Sequence, residues 1–153
     1  MNNALILGVS SHLGRALVRR LHEDGVWVRG ADIRYSDEGP FECDDFFRTD
    51  LREPSSVGLV LGAHPMHEHW DAVFNVVTLK KDMTNVGDWT YIQINVLVGM
   101  VHHASRVSRL VIPLEGAGWT APKLPREPVI TRFVNIHGLD QAEAVERLVT
   151  FDG

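Results

Sequence analysis

Seven residues near the start of the chain, Gly8-Val9-Ser10-Ser11-His12-Leu13-Gly14, have the types and spacing to hold a pyrophosphate. The chemistry is that of the main chain. Gly8 allows a tight turn, a small residue at Ser11 lets the backbone approach an anion, and Gly14 lets a helix sit close to the preceding strand. The first amides of that helix then face the anion, aided by the helix dipole. Ser11 stands where a second glycine is usual. Either its bulk weakens the approach or its hydroxyl donates to a phosphate. Asp32 follows Gly14 by 18 residues, where a carboxylate accepts both hydroxyls of an adenine ribose. Its charge repels a 2′-phosphate and so favours NAD over NADP, whereas Arg34 offers that phosphate a guanidinium. A ligand-free strand–helix turn and a strand-end Asp would use the same residue types, so position in the fold has to decide.

Other constellations are weaker. His64, His67 and His69, with Glu68 between, form a short loop that could share a zinc or nickel ion. No helical spacing fixes their geometry and no fourth ligand is evident, so a solvated His-rich loop is expected and no metal site is assigned. Ser10 and Ser11 beside His12 do not make a serine-hydrolase relay, because no Gly-x-Ser-x-Gly elbow is present. Cys43 is the only cysteine; it is expected to be packed rather than nucleophilic, and it excludes an internal disulfide. His102 and His103 are adjacent in a helix and cannot share a face. Lys80 and Lys81 read as a solvated loop edge.

The elements that position these residues follow from periodicity. Ala4 to Val9 is a short apolar run, read as a buried parallel strand. Leu13, Ala16, Leu17 and Leu21 recur at helical spacing, and Gly25 closes that helix. Val26 to Ile33 and Cys43 to Thr49 read as the second and third strands, with a turn-rich loop from Tyr35 to Pro40 between them. Pro54 opens a helix to about Leu61, and His64 to Trp70 is a loop. Ala72 to Val77 is a fourth strand, Thr78 to Asp88 a loop, and Tyr91 to Val107 the longest helix. Leu110 to Pro113, an irregular Leu114 to Pro128, Val129 to Ile136 and a helix over Gln141 to Val149 complete the chain. Strands alternating with helices predict an α/β, Rossmann-type doubly wound parallel sheet. The expected strand order is 3-2-1-4-5-6, in one domain over residues 1–153.

Fifteen Lys and Arg against twenty Asp and Glu give a net charge of −5, which argues against general nucleic-acid binding. No apolar run is long enough to suggest a membrane span, and no basic segment precedes Leu5 to Leu7 as in a signal peptide. A soluble cytoplasmic protein is expected.

In the order of these motifs the chain resembles the extended short-chain dehydrogenase/reductases, the NAD-dependent epimerases and dehydratases of sugar nucleotides. The stretches at 30–34 (Gly-Ala-Asp-Ile-Arg), Glu42 to Phe47 and Thr49 to Arg52 are most similar to the GDP-mannose 3,5-epimerase branch, over about residues 3–113. The resemblance implies a dinucleotide held by Gly8, Ser10, Ser11, His12, Leu13 and Gly14, with Asp32, Ile33 and Arg34 at the ribose and Asp50-Leu51 beside the adenine. Val76-Val77-Thr78 would lie beneath the cofactor, where the family has Leu-Ala-Ala, and Asn95 matches an asparagine that supports the active site. Arg132-Phe133 and Asn135-Ile136-His137-Gly138 look like the family's later Arg-Phe-x-Asn-x-Tyr-Gly strand. Between the fifth strand and that one the family carries a catalytic Ser or Thr and a Tyr-x-x-x-Lys helix. Here only Leu114 to Pro128 intervenes, and neither Tyr35 nor Tyr91 has Lys four residues on. Trp119 precedes Lys123 by four, but indole is no acid/base and Pro122 opposes a helix.

The implied protein is an NAD-binding chain of epimerase type with an internal deletion and a C-terminal truncation, and with no catalytic residue assigned. Two alternatives stay open. One is an atypical oxidoreductase or isomerase on a nucleotide sugar, using His12, Thr78 or His137; the other is an interaction scaffold that has lost the cofactor. The long helix 91–107, an inter-subunit surface in the family, implies a homodimer or a partner. Its Ile92, Val96, Val98, Val101 and Val107 are expected to be uncovered unless the last helix packs there.

Overall fold

The computed structural model of the protein describes residues 1–33, 42–62, 68–77, 86–115 and 129–150, with only the backbone of 86–89. Six strands form one sheet: β1 (Asn3–Leu7), β2 (Trp27–Asp32), β3 (Asp45–Arg48), β4 (Ala72–Asn75), β5 (Arg109–Leu114) and β6 (Ile130–Asn135). Every pairing is parallel and the order is β3-β2-β1-β4-β5-β6, the doubly wound arrangement expected from the alternation of elements. Leu5 sits beside Arg29 on one side and Val73 on the other, so β1 is the centre of the sheet.

Because side chains alternate along a strand, β1 feeds both layers. Ala4 and Ile6 enter a core with Leu17, Val18 and Leu21 of α1 (His12–Glu23) and Ala144, Val145 and Leu148 of α4 (Gln141–Thr150). Leu5 and Leu7 enter the opposite core, with Val57 and Val60 of α2 (Ser56–Val60) and Ile92, Val96 and Met100 of α3 (Val86–His102). Arg20 of α1 pairs with Glu146 of α4, fixing the two helices side by side. On the other face, a Cβ built on Gly99 would lie 2.3 Å from Val57 Cγ1, so glycine lets α3 press onto α2.

Three details differ from the sequence reading. The longest helix runs from Val86 to His102 rather than from Tyr91 to Val107. A 3-10 turn at Ala104–Arg106 follows it, and Val107 is extended, bridging Trp70 as the chain drops to start β5. The short helix forms only at Ser56–Val60, starting two residues after Pro54. The exposed stripe of α3 is also different. Ile92, Val96 and Val107 are buried in the core, and among the described side chains of α3 the exposed large apolar residues are Tyr91, Ile94, Val98 and Val101. The last helix does not cover them, because α4 packs on α1 across the sheet.

Arg29, which no motif singled out, is a buried cation on β2. Its Nε donates to Asp45 (3.0 Å) and its Nη1 to the carbonyls of Val60 and Gly62 at the end of α2 (3.0 and 2.8 Å). The guanidinium also lies over the rings of Phe47, Trp70 and Trp27. Burial of that charge is tolerated because it is paired, hydrogen-bonded to helix-end carbonyls and stacked on aromatic faces.

Candidate functional site

In a parallel sheet the strand ends and the helix starts share one edge, and ligands bind where strand order reverses. Here that point lies between β1 and β4. Gly8 ends β1 with φ +84°, a left-handed conformation that L side chains rarely adopt. Its amide donates to Ala31 O (2.8 Å), and the Val9 amide shares that carbonyl (3.3 Å), so the β1–β2 ladder ends here. A Cβ at Gly8 would lie 2.8 Å from the Val77 nitrogen and 2.9 Å from its Cα. The turn is therefore pressed directly onto the backbone that leaves β4. Gly14 is confined as well, since a Cβ there would come within 2.8 Å of Gly8 O and Val9 O. Both outer glycines of the motif are thus required by close approach of main chain to main chain.

Ser11 is the N-cap of α1. Its Oγ accepts from the Gly14 amide (3.0 Å) and donates to Gly8 O (3.1 Å). The hydroxyl in place of the usual glycine therefore satisfies the third amide of the helix. The amides of His12 and Leu13 bond to nothing among the described residues and remain available to an anion.

Asp32 ends β2 and turns toward the same loop. Its Oδ2 accepts from the Ser10 amide (2.9 Å) and from the Ser10 hydroxyl, and its Oδ1 accepts from the Ile33 amide (2.7 Å). A carboxylate offers about four acceptor positions, so one is left. The loop and the carboxylate are locked together before any ligand arrives, a link that sequence spacing does not announce.

Asp50 and Asn95 are held by hydrogen bonds within the protein. The Arg52 side chain and amide hold the Asp50 carboxylate, with Nη2 to Oδ2 at 2.7 Å, and the hydrogen bond from the Arg52 side chain is the chief cause of its lowered pKa. Buried Asn95 donates to the carbonyls of Leu51 and Arg52 (both 3.0 Å), tying α3 to the turn after β3. Leu51 and Val76 are core residues and Val77 lies against Gly8. Arg34 and Thr78 lie outside the described residues, as do His64, His67, Lys80, Lys81, Tyr35, Trp119 and Lys123. His69 points elsewhere, bonding Ser108 at the far edge of the sheet. Burial, with the neighbouring Asp44 carboxylate, pushes the Cys43 thiol up to about 12, so it is no nucleophile at neutral pH.

On the β5–β6 side of the loop is a cleft of about 740 Å³. Ser10, Ser11, His12 and Leu13 form one wall; Glu115, His137 and Asp140 stand in the rest of the lining. His137 follows β6, and its ring Nδ1 lies 2.9 Å from the carbonyl of Glu115, which follows β5. A carbonyl can only accept, so Nδ1 carries the proton and Nε2 is the basic nitrogen of the neutral ring. Desolvation raises the pKa of the Glu115 carboxyl. The sequence reading missed Glu115 and Asp140. The available signal was their place just after the fifth and sixth parallel strands, at the ligand-binding edge.

No protein-family model matches the sequence, and no curated protein is significantly similar to it. Solved structures do match. A UDP-glucose 4-epimerase superposes with TM-score 0.61 at 20% identity, over 98% of this chain and 47% of that one, so the chain spans about half the epimerase's length. A protein from Burkholderia multivorans assigned as a short-chain alcohol dehydrogenase matches with TM-score 0.68 at 15% identity, over 97% of this chain and 89% of that one. A uronate dehydrogenase variant from Agrobacterium tumefaciens, solved with NAD, matches with TM-score 0.57 at 20% identity, over 75% and 41%. At these identities the likeness is one of fold: the chain has the Rossmann-type architecture found in these dehydrogenases and this epimerase.

Proposed function

We propose that the chain binds NAD across its β1–α1 turn and, within this sequence, holds it without the Tyr/Lys catalysis of the epimerases it resembles. The observation that carries the reading is the turn itself: open amides at His12 and Leu13, a Gly8 that admits no side chain, and Asp32 locked to the same loop. The pyrophosphate fits at the two amides. The adenine ribose fits beside Asp32, where one hydroxyl meets the remaining carboxylate position. The other meets Ser10 Oγ, whose hydrogen is committed to Asp32 and whose lone pairs are not. A 2′-phosphate would face the Asp32 charge, which favours NAD over NADP. The bound group would supply hydride chemistry; this chain's own residues would bind and orient it. The fold of the NAD-bound uronate dehydrogenase and the motif order shared with the GDP-mannose 3,5-epimerases support this reading, and extend it to a nucleotide sugar as the second ligand.

Calorimetric titration of the purified protein with NAD, NADH, NADP and NADPH, beside Asp32→Ala, tests it. Saturable NAD binding, weakened about tenfold or more by the variant, is expected. A folded protein that binds none of the four leaves an interaction scaffold.

One observation favours a second reading. The fixed tautomer of His137 puts a basic Nε2 on a residue of the cleft, as an atypical oxidoreductase or isomerase would need. Turnover of a nucleotide sugar that vanishes in His137→Gln would decide for it.

The α3 surface belongs to the same proposal. Tyr91, Ile94, Val98 and Val101 are spaced three, four and three apart and are all about half exposed, an apolar seam of the kind that pairs helices. A homodimer through α3 is expected. Light scattering should give twice the chain mass, reverting to a monomer in Ile94→Glu; a monomeric wild type at high concentration refutes it.

A further inference from the structure

The cleft beside the phosphate loop carries a charge pattern that a dinucleotide can read, an inference that rests on the cofactor proposal above. With the adenine ribose at Asp32, on the β2 side, and the pyrophosphate at the His12 and Leu13 amides, the second nucleoside must extend to the other side of β1, over the 740 Å³ cleft. That volume suits a nicotinamide riboside. Among the described residues lining it, Glu115 and Asp140 are carboxylates and none is Lys or Arg. His12 and His137 are the remaining ionisable groups, and the His137 ring is held through Nδ1 by the Glu115 carbonyl. Asp140 Oδ1 accepts from the Glu143 amide (2.8 Å), so this carboxylate is fixed at the start of α4.

The oxidised nicotinamide ring is a cation and the reduced ring is neutral. We infer that the cleft favours the oxidised cofactor, with Glu115 and Asp140 as the specificity-determining carboxylates, so that the protein binds NAD more tightly than NADH. Glu115 lines the cleft, and a cationic ring beside its carboxylate would gain a charge partner that the neutral reduced ring would not. Selectivity of this origin is electrostatic and acts through a few ångströms of partly wet space, so an effect near tenfold is expected.

The test is titration of the whole chain with NAD, NADH and ADP-ribose, which lacks the nicotinamide. Wild type, Glu115→Gln and Asp140→Ser are compared; serine keeps the helix cap and removes the charge. NAD should bind about tenfold more tightly than NADH. Each variant should lower that ratio about threefold, the double variant should bring it near one, and ADP-ribose affinity should stay within twofold throughout. Equal or tighter binding of NADH by the wild type, or a ratio that neither variant moves, overturns the inference while leaving the cofactor reading intact. A folded protein that binds none of the three overturns both.

Discussion

Two turns of this molecule share one plan and differ in charge and crowding. The β1–α1 turn and the β6–α4 turn both lie on the ligand edge, and their helices pack side by side. Each holds a glycine at positive φ, Gly8 at +84° and Gly138 at +76°. Each helix is capped by a side-chain oxygen three residues back, Ser11 to the Gly14 amide and Asp140 to the Glu143 amide. The first cap is uncharged, and the His12 and Leu13 amides beside it bond to nothing among the described residues. The second cap is an anion, and Glu143 adds another in the first turn, so the positive end of the α4 dipole is already answered. Capping geometry stabilises both helices; only the charge of the cap decides which end remains open to an anion.

Crowding separates the turns further and gives the largest expected effect. A Cβ at Gly8 meets Val77 backbone at 2.8 Å, whereas a Cβ at Gly138 meets nothing within 4 Å. Gly8→Ala adds left-handed strain to a collision that only main-chain movement can relieve. It should cost about 3 kcal/mol or more in urea unfolding and abolish NAD binding, because the His12 and Leu13 amides move with the turn. A variant within about 1 kcal/mol of wild type would mean that the turn is not pressed onto β4.

The next effect tests charge alone. Ser11→Asp gives the first turn the cap of the second. Aspartate caps as well as serine, so stability should change by less than about 1 kcal/mol. NAD affinity should fall by about a hundredfold, as a fixed carboxylate now faces the pyrophosphate. Unchanged affinity in calorimetry would place the pyrophosphate away from this turn.

The comparison also explains what could be read from the residues. The alternation of short apolar runs with amphipathic stretches specified six parallel strands and their order, because burial on both faces leaves little choice of pattern. Gly8, Gly14 and Asp32 were legible because their roles depend on local backbone shape and fixed spacing. The Ser10–Asp32 lock was not legible, since it joins residues on adjacent strands' ends through side-chain direction. Nor was the burial of Ile92 and Val96. Helix α3 is apolar on most sides, so periodicity alone could not tell its core face from its exposed seam of Tyr91, Ile94, Val98 and Val101. Glu115 and His137 meet only because β5 and β6 are neighbours with Leu114 beside Asn135, a register that no single motif encodes.

The smallest effect belongs to the open turn. Gly138 needs its positive φ but no empty space, so Gly138→Ala pays only for left-handed backbone, about 1–2 kcal/mol. Gly138→Asn, whose side chain tolerates that conformation, should recover roughly half of the loss. Both variants should keep NAD affinity within about threefold, because the Asp140 charge keeps the phosphates away from the start of α4 in this reading. If Gly138→Ala instead abolished binding as Gly8→Ala is expected to, the β6–α4 turn would be a second anion contact and the charged cap at Asp140 would not close it. The pair of glycine variants, measured by the same urea and calorimetric readouts, therefore separates strain, which the two turns share, from ligand contact, which is assigned to the first alone.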